Sequence, residues 1–237
     1  MKSLPMTDIG VLDVFSRLEM IVLDYDLSAV INDTDFYEAF CNTLREFRGE
    51  CISFSEFSEY LELDILKDRI PRVIREDDFW RRFRQLYVSR HSFPRTGLRE
   101  FLLLIRNLGI KVVVVSGRET HPEYIWSDLR RYGIDELVDD VITMHALSLL
   151  SLREEFLFDK TPLIEYAKRK HSVLGEFICI GDYVTDYYSC IKAGGIFIGI
   201  GSAARTRILK KAGVSFTAEN FYEVLVRLRE ITSMSST

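Results

Sequence analysis

The stretch Met20-Ile-Val-Leu-Asp-Tyr-Asp-Leu-Ser-Ala29 decides the fold class, because an apolar run ends there abruptly in two acids. The apolar residues 20–23 are typical of a short strand buried on both faces of a parallel sheet. Ligands of such sheets collect at the carboxyl ends of the strands, where Asp24 and Asp26 lie. Two carboxylates so close repel each other and lose hydration, so they favour a cation, protons or several donors beside them. The pair is equally consistent with capping of the turn that leaves the strand.

The composition fits an ordinary globular protein. The chain has 237 residues, 47% of them apolar, enough for one large α/β domain or a core domain with a small accessory one. The net charge of -5 argues against a nucleic-acid-binding protein. No apolar stretch reaches the length of a membrane helix and no signal segment is evident, so we expect a soluble, cytoplasmic protein that does not bind membranes. The cysteines have no metal-binding spacing, and Cys179 is interpreted as a buried thiol.

Apolar segments alternate with helical patterns along most of the chain, which predicts a mostly parallel sheet in a doubly wound α/β core. The predicted strands are Met20–Leu23, Lys111–Val115, Val138–Thr143, Phe177–Ile180 and Ile196–Ile200. The predicted helices of this core are Leu98–Leu108, Pro122–Tyr132 and Lys160–Lys170. The first two of these helices are each followed by a glycine, a common helix stop signal.

A long segment without a strand pattern separates Leu27 from Pro94, and one crossover does not need that length. Its helical candidates are Asp33–Phe47, Ser53–Leu66 and Glu76–Val88. We therefore divide the chain into an α/β core domain, residues 1–28 and 95–237, and an all-helical cap domain, residues 29–94. An insertion directly after the first strand lies over the carboxyl ends of the sheet, where a lid would close. The alternative is a helical subdomain that only enlarges the core.

Polar side chains also follow two later predicted strands. Ser116-Gly117-Arg118 ends the second strand, and Gly181-Asp182-Tyr-Val-Thr-Asp186 ends the fourth. Lys160 lies between them in the chain, at the start of a helical stretch. A hydroxyl followed by glycine can donate to an anion, and an i, i+4 pair of acids shares one helix face. Each feature alone also has an ordinary explanation as a turn, a helix cap or a solvated lysine.

The order of these motifs resembles that of the haloacid dehalogenase-like (HAD) superfamily of phosphohydrolases: DxD, then Ser, then Lys, then GDxxxD. The resemblance covers roughly residues 19–230. Within the superfamily, the chain is most similar to the phosphatase branch that carries a small helical cap after the first motif, the phosphoglycolate phosphatase-like proteins. It implies a Rossmann-like core with an inserted helical cap. It also implies Mg²⁺-dependent hydrolysis of a small phosphorylated metabolite.

The resemblance assigns roles residue by residue. It implies that Asp24 is the nucleophile that forms an aspartyl-phosphate, and that Asp26 protonates the leaving alkoxide and later activates water. The residues implied to bind the phosphoryl oxygens are Ser116, Gly117 and Lys160. The implied Mg²⁺ ligands are Asp24, Asp26 through its carbonyl, and Asp182, with Asp186 supporting the site.

The first motif departs from the family pattern, because Leu27 stands where family phosphatases carry glycine. If the backbone there needs a positive φ, leucine is strained by about 1 kcal/mol or more. The departure leaves open a catalytically weak or inactive binding or regulatory protein. A phosphotransferase or mutase that uses the same site is also open.

Two further features have alternative interpretations. Cap arginines could form a solvated helix face paired with nearby acids, or could recognise a second anionic group on the substrate. They are Arg72, Arg75, Arg81, Arg82 and Arg84. The segment Gly199-Ile-Gly201-Ser-Ala-Ala204 fits a dinucleotide-binding motif, but no strand pattern follows it to complete the unit.

Overall fold

The computed structural model describes residues 17–234, which form eight strands and ten α-helices. The strands are β1 (Leu18–Leu23), β2 (Val30–Ile31), β3 (Phe93–Pro94), β4 (Lys111–Ser116), β5 (Asp140–Thr143), β6 (Glu176–Gly181), β7 (Ile196–Ile200) and β8 (Phe216–Ala218). The helices are α1 (Asp33–Glu46), α2 (Phe54–Glu62), α3 (Glu76–Leu86), α4 (Leu98–Asn107), α5 (Glu123–Tyr132), α6 (His145–Leu149), α7 (Thr161–Lys170), α8 (Val184–Lys192), α9 (Ala203–Lys211) and α10 (Phe221–Met234). None of these helices has the length and apolar character needed to cross a bilayer.

Six strands form one parallel sheet in the order β5-β4-β1-β6-β7-β8. Strand β1 lies between β4 and β6, so the three strands that end in the polar motifs are neighbours. Their carboxyl ends therefore bring Asp24, Ser116 and Asp182 to one stretch of the sheet edge. The predicted α/β class with a parallel sheet is confirmed.

Apolar side chains cover both faces of the sheet, as the continuous apolar strands predict. In β1, Ile21 and Leu23 point into one buried cluster, whereas Met20 and Val22 point into the other. The first cluster includes residues of α4, α5 and α10, and the second includes residues of α7, α8 and α9. Helices thus lie on both sides of the sheet, which makes the core doubly wound.

Helices α1, α2 and α3 lie between β2 and β3 and share a separate apolar cluster. Its centre is aromatic: Phe40, Phe57 and Phe79 are fully buried and contact one another or their neighbours edge to face or at a tilt. Aromatic rings bury large apolar area with few rotatable bonds, so three short helices can hold together. The inserted helical cap is therefore confirmed as part of the fold.

The cap joins the core through two chain crossings that pair with each other. Strands β2 and β3 form an antiparallel ladder in which Val30 faces Pro94. Arg95 follows β3, and its backbone N–H donates to the Ala29 carbonyl at 2.9 Å. Its guanidinium donates to the carbonyls of Ser28, at 2.8 Å, and Leu27. The domain division at 28/29 and 94/95 stays a prediction, and its residues 1–16 and 235–237 lie outside the described residues.

The structure differs from the sequence prediction in three places. The segment from Leu27 to Pro94 was expected to hold no strand, but the two-residue strands β2 and β3 lie near its ends and are too short to give a pattern. Helix α2 ends at Glu62 rather than Leu66, because Asp64 adopts a left-handed φ of 58° that a helix cannot continue through. Strand β8 follows the Gly199–Ala204 segment and pairs in parallel with β7, so the expectation that no strand follows was wrong. With three residues, β8 is too short to give a recognisable alternation pattern.

All four cysteines are paired in the structure. Cys41 is joined to Cys51 within the cap, and Cys179 in β6 is joined to Cys190 in α8. Cys179 is buried as predicted, but its interpretation as a thiol was wrong. The second disulfide ties together the two elements that flank Asp182.

Candidate active site

Three buried carboxylates meet at the carboxyl ends of β1 and β6. Oxygen atoms of Asp24, Asp182 and Asp186 all lie within 4.8 Å of one another. Asp186 lies in the first turn of α8 and accepts a hydrogen bond from the Tyr183 N–H at 3.1 Å. A Cβ at Gly181 would lie 2.8 Å from the Asp186 carboxylate, so the glycine of the Gly-Asp motif lets this acid approach β6.

Lys160 neutralises part of this negative charge. Its ammonium group is paired with Asp24 and, at 2.7 Å, with Asp186. Its backbone N–H donates to the Ser189 hydroxyl at 2.9 Å, which fixes the start of α7 against α8. Burial alone would lower the pKa of Lys160, but the adjacent carboxylates outweigh it, so its pKa lies above the ordinary value. Lys160 is therefore a charged group of the site.

The negative charge that Lys160 leaves on the three carboxylates is suited to binding a hard divalent cation. The Ser28 hydroxyl lies 2.7 Å from Asp24 Oδ2 and 2.9 Å from Asp182 Oδ1, and its single proton can be donated to only one of them at a time. Burial raises the pKa of Asp24 to about 7, against the opposing effect of Lys160, and raises that of Asp182 well above its usual range. Clustered carboxylate oxygens are the donors that Mg²⁺ prefers, so the residues present fit this ion.

Asp26 points into a different set of donors. Arg118 donates to both carboxylate oxygens, with Nε 2.9 Å from Oδ2, and Asn32 donates to Oδ1 at 2.6 Å. The Ser116 hydroxyl donates to Oδ2 at 3.3 Å. Ser116 is fully buried and does not line the cavity described below, so here it supports Asp26.

Arg118 and Asn32 are site residues that sequence reasoning missed, although Arg118 directly follows Ser116-Gly117. The Arg118 side chain is buried, and its guanidinium carbon lies 5.0 Å from the ring centre of Tyr25 and 4.7 Å from that of Tyr87. Burial opposes its charge, but Asp26 more than compensates, so the pKa of Arg118 is raised. The two rings and the carboxylate fix the guanidinium in place.

Leu27 adopts the positive φ that its place in the first motif requires, at 61°. Its N–H donates to the Asn32 side-chain oxygen at 3.1 Å, and its side chain packs into the cap cluster. The chain therefore keeps the left-handed turn of the motif with leucine instead of glycine. A left-handed residue with a Cβ is strained by about 1–2 kcal/mol.

This strain predicts that glycine at position 27 gives a more stable protein than alanine, the reverse of their usual order inside a helix. Both Leu27→Gly and Leu27→Ala lose the buried side chain, but only glycine relieves the strain, so we expect the glycine variant to be more stable by about 1 kcal/mol. Urea denaturation of the two variants measures the difference. The control is Leu44, a buried residue of α1, where alanine should be more stable than glycine by about 1 kcal/mol. The same order at both positions would contradict the strain.

A cavity of about 550 Å³ lies between the cap and the sheet edge. Its floor holds Asp24, Asp26, Lys160, Asp182 and Asp186, beside Gly117 and Arg118. Its other walls are mostly apolar: Leu27, Phe36, Leu66, Trp80, Phe83, Tyr87, Phe156, Leu157, Phe158, Tyr183, Val184 and Tyr188. All predicted site residues except Ser116 thus line one cavity.

Most cap arginines lie away from this cavity. Arg75 and Arg81 pair with Asp78, and Arg82 pairs with Glu46. Of the five predicted arginines only Arg84 lines the cavity, and its guanidinium is bound by Glu119 and Glu154. The arrangement agrees with a solvated, paired helix face for Arg75, Arg81 and Arg82.

The Gly199–Ala204 segment serves packing. A Cβ at Gly199 would lie 2.6 Å from the Leu209 side chain, and one at Gly201 would lie 2.8 Å from that of Arg205. Arg205 passes this point to pair with Asp64 of the cap at 3.4 Å. Since these side chains fill the space over the glycines, the structure does not support the dinucleotide alternative.

Comparisons with known proteins connect this geometry to a fold family. No protein-family model matches the sequence, and no curated protein matches it. Among solved structures, a predicted phosphoglycolate phosphatase from Haemophilus somnus 129PT is similar with a TM-score of 0.65 and 17% identity, covering 88% of this chain and 97% of that one. A haloacid dehalogenase-like family hydrolase from Streptococcus pneumoniae has a TM-score of 0.65 and 15% identity, covering 90% and 99%. A predicted phosphatase from Clostridium acetobutylicum has 0.65 and 16%, covering 90% and 99%.

The likeness extends over nearly the whole length of each of these structures. At such low identity it establishes the fold, including the parallel sheet and the helices inserted after β1. The predicted resemblance is confirmed at this level: the chain has the fold of the capped haloacid dehalogenase-like hydrolases.

Proposed function

We propose that the protein is a Mg²⁺-dependent phosphatase that hydrolyses a small phosphate monoester through an aspartyl-phosphate on Asp24. One observation carries the proposal: Asp24 lines the cavity beside the Lys160 ammonium, which also binds Asp186, and a carboxylate oxygen of Asp24 lies within 4.8 Å of oxygens of Asp182 and Asp186. A carboxylate held in this way can attack phosphorus while a positive charge beside it offsets repulsion between two anions.

The other floor residues fit the remaining steps. Asp26 lines the cavity two residues from the nucleophile and would protonate the leaving-group oxygen. Gly117 and Lys160 line the same wall and would bind phosphoryl oxygens. Arg118 and Ser116 would hold the Asp26 carboxylate in place. The cap lies over the cavity and would restrict the access of bulk water to the transfer.

Magnesium would be held by Asp24 and Asp182, with Asp186 in support and the Asp26 carbonyl completing the protein ligands. When bound, it supplies positive charge that neutralises the nucleophile and the phosphate together. The donor chemistry of the cluster supports this assignment.

The metal assignment predicts a thermal shift in the purified protein. Mg²⁺ at about 100 times its Kd should stabilise the folded state by about 2.7 kcal/mol, which for a chain of this length raises Tm by about 5–10 °C. Asp182→Asn should lose the shift, and it should not lower the Tm of the metal-free protein, since burial disfavours this charge. Glu136→Gln, at an exposed acid, is the matched control and should keep the shift.

The activity itself is tested by hydrolysis of an aryl phosphate with Mg²⁺ and after its removal with a chelator. Rates that do not depend on Mg²⁺ would contradict the proposal. An inactive binding protein is favoured if the wild type neither turns over substrate nor binds Mg²⁺ with beryllium fluoride. A mutase would be recognised by transfer of phosphate to a second substrate rather than by release of inorganic phosphate.

A cytoplasmic location also stays a prediction. The structure has two disulfide bonds, and disulfide bonds are rare in that compartment.

A further inference from the structure

Two bulky apolar residues at the cavity have left-handed backbone conformations. Leu27 and Phe158 both have a φ of 61°, whereas the other non-glycine residues with positive φ in the described range are Arg48, Asp64, Ser151 and Ser172. Leucine and phenylalanine are poorly suited to this region, and strain of this kind persists where surrounding contacts fix the backbone, often at ligand sites. Leu27 is three residues after Asp24 and Phe158 is two residues before Lys160, and both strained residues line the cavity.

The position of Phe158 explains what its strain achieves. A Cβ at Gly117 would lie 3.1 Å from the Phe158 ring, so the ring lies against the phosphate-binding wall of the core. On its other side the ring contacts the cap, with its centre 6.1 Å from that of Trp80 and 5.0 Å from the Arg84 guanidinium. Phe158 thus extends the apolar wall of the cap down to the phosphate site.

The part of the cavity that the cap lines is largely aromatic. It has little free positive charge to bind a second anionic group of a substrate. Arg84 is the cap arginine that lines it, and Glu154 binds its guanidinium with both oxygens, at 2.7 and 3.1 Å, while Glu119 binds it at 3.1 Å. Lys67 also lines the wall, but it is exposed to solvent, and the acidic residues Asp64 and Glu76 line the same cavity. A carboxylate buried beside Arg84 would lose its hydration and meet a guanidinium that two glutamates already bind.

An apolar group of a ligand, in contrast, can pack against apolar side chains of the cavity wall. Half-buried side chains of Phe36, Phe156, Leu157 and Phe158 face the cavity, and an apolar ligand group would cover surface that water now contacts. A volume of about 550 Å³ falls within the range of pockets that enclose small organic ligands.

We propose that the substrate is a phosphate monoester whose leaving group is apolar and about the size of an aromatic ring, rather than a phosphorylated hydroxy acid or sugar. This inference rests on the proposed phosphatase function and explains its departure from the family motif. Leu27 and Phe158 form an apolar collar around the reacting phosphorus, and the cap side chains that line the cavity, Phe36, Trp80 and Phe83, bind the group beyond it.

The test compares two non-hydrolysable phosphonates of equal spacer length, 2-phenylethylphosphonate and 2-carboxyethylphosphonate. Their Kd values, measured by calorimetry with Mg²⁺, report binding independently of leaving-group reactivity. We expect the phenyl compound to bind at least about tenfold more tightly, a preference equal to about 1.4 kcal/mol. Equal affinities, or tighter binding of the carboxylate, would overturn the inference.

A parallel assay separates this inference from the proposed function. Hydrolysis of 2-phenylethyl phosphate and phosphoglycolate is measured with Mg²⁺, because both release primary alcohols. Turnover of both with a higher kcat/KM for phosphoglycolate refutes the apolar leaving group and leaves the phosphatase intact. Failure to hydrolyse either ester, or an aryl phosphate, refutes the phosphatase and the inference with it.

Phe158→Asn tests the collar without a folding penalty from the backbone, since asparagine tolerates positive φ. It should reduce the preference for the phenyl phosphonate by about tenfold and change the Kd of the carboxyl compound by less than about twofold. Tyr124→Asn, at an exposed aromatic residue of α5 away from the cavity lining, is the control and should leave both Kd values unchanged. An unchanged preference in Phe158→Asn would remove Phe158 from the binding site.

Discussion

Asp24→Asn is expected to lower kcat by at least about a thousandfold for every phosphate monoester that the wild type hydrolyses. An amide has nearly the same shape as the carboxylate but cannot form the aspartyl-phosphate. The loss should be the same for an activated nitrophenyl ester and for an alkyl ester, because both need the nucleophile. Single-turnover rates and a Tm measurement together show whether the loss lies in chemistry or in folding. Equal rates for Asp24→Asn and wild type would refute the mechanism.

Asp26→Asn is the matched variant, because it changes the neighbouring acid in the same way. It should slow an alkyl ester by about a hundredfold or more and a nitrophenyl ester much less, since nitrophenolate leaves without a proton. Equal losses for the two esters would show that Asp26 has a positioning role and is not the proton donor.

Arg118→Met is expected to have the largest effect on stability, about 3 kcal/mol, because it leaves Asp26 without the cation that binds both its oxygens. The buried guanidinium also fills the space between Tyr25 and Tyr87, and methionine replaces only part of it. Arg118→Lys keeps the charge but loses the two-point contact, so it should lie between wild type and Arg118→Met. Urea denaturation measures all three.

The double variant Arg118→Met with Asp26→Asn identifies the cause. If the unpaired carboxylate is responsible, removing its charge should restore about 1 kcal/mol or more, so the two substitutions should not be additive. Additive losses would mean that Arg118 stabilises the fold through packing with the tyrosines alone.

The sequence predicts the sheet well because its signals are local. Apolar runs define β1, β4, β5, β6 and β7 nearly at their observed bounds, and strand ends are where ligands of parallel sheets collect. The adjacency of β4, β1 and β6 then brings the motif residues together. Ser116 still has an unexpected contact, since its hydroxyl donates to Asp26.

Other contacts depend on the tertiary structure and have no local signal. Arg118 is an ordinary residue after a strand until Asp26, Tyr25 and Tyr87 surround it. The apolar spacing of α2 continues to Leu66, so the pattern does not reveal that the helix ends at Glu62. It also does not reveal that Asp64, just beyond the helix, pairs with Arg205. Which cap side chains face the cavity is likewise set by how three helices pack.

The hydrogen bonds from Arg95 to the first motif restrict how the two chain crossings can move relative to each other. The chain leaves the core through Leu27 and Ser28 and returns at Arg95, whose guanidinium binds the carbonyls of both. Sliding of one crossing past the other would separate these donors from their acceptors, whereas rotation about the β2–β3 ladder preserves them. The joint therefore resists shear between the two crossings more than rotation, and it holds the peptide units next to Asp24 in register with the returning chain.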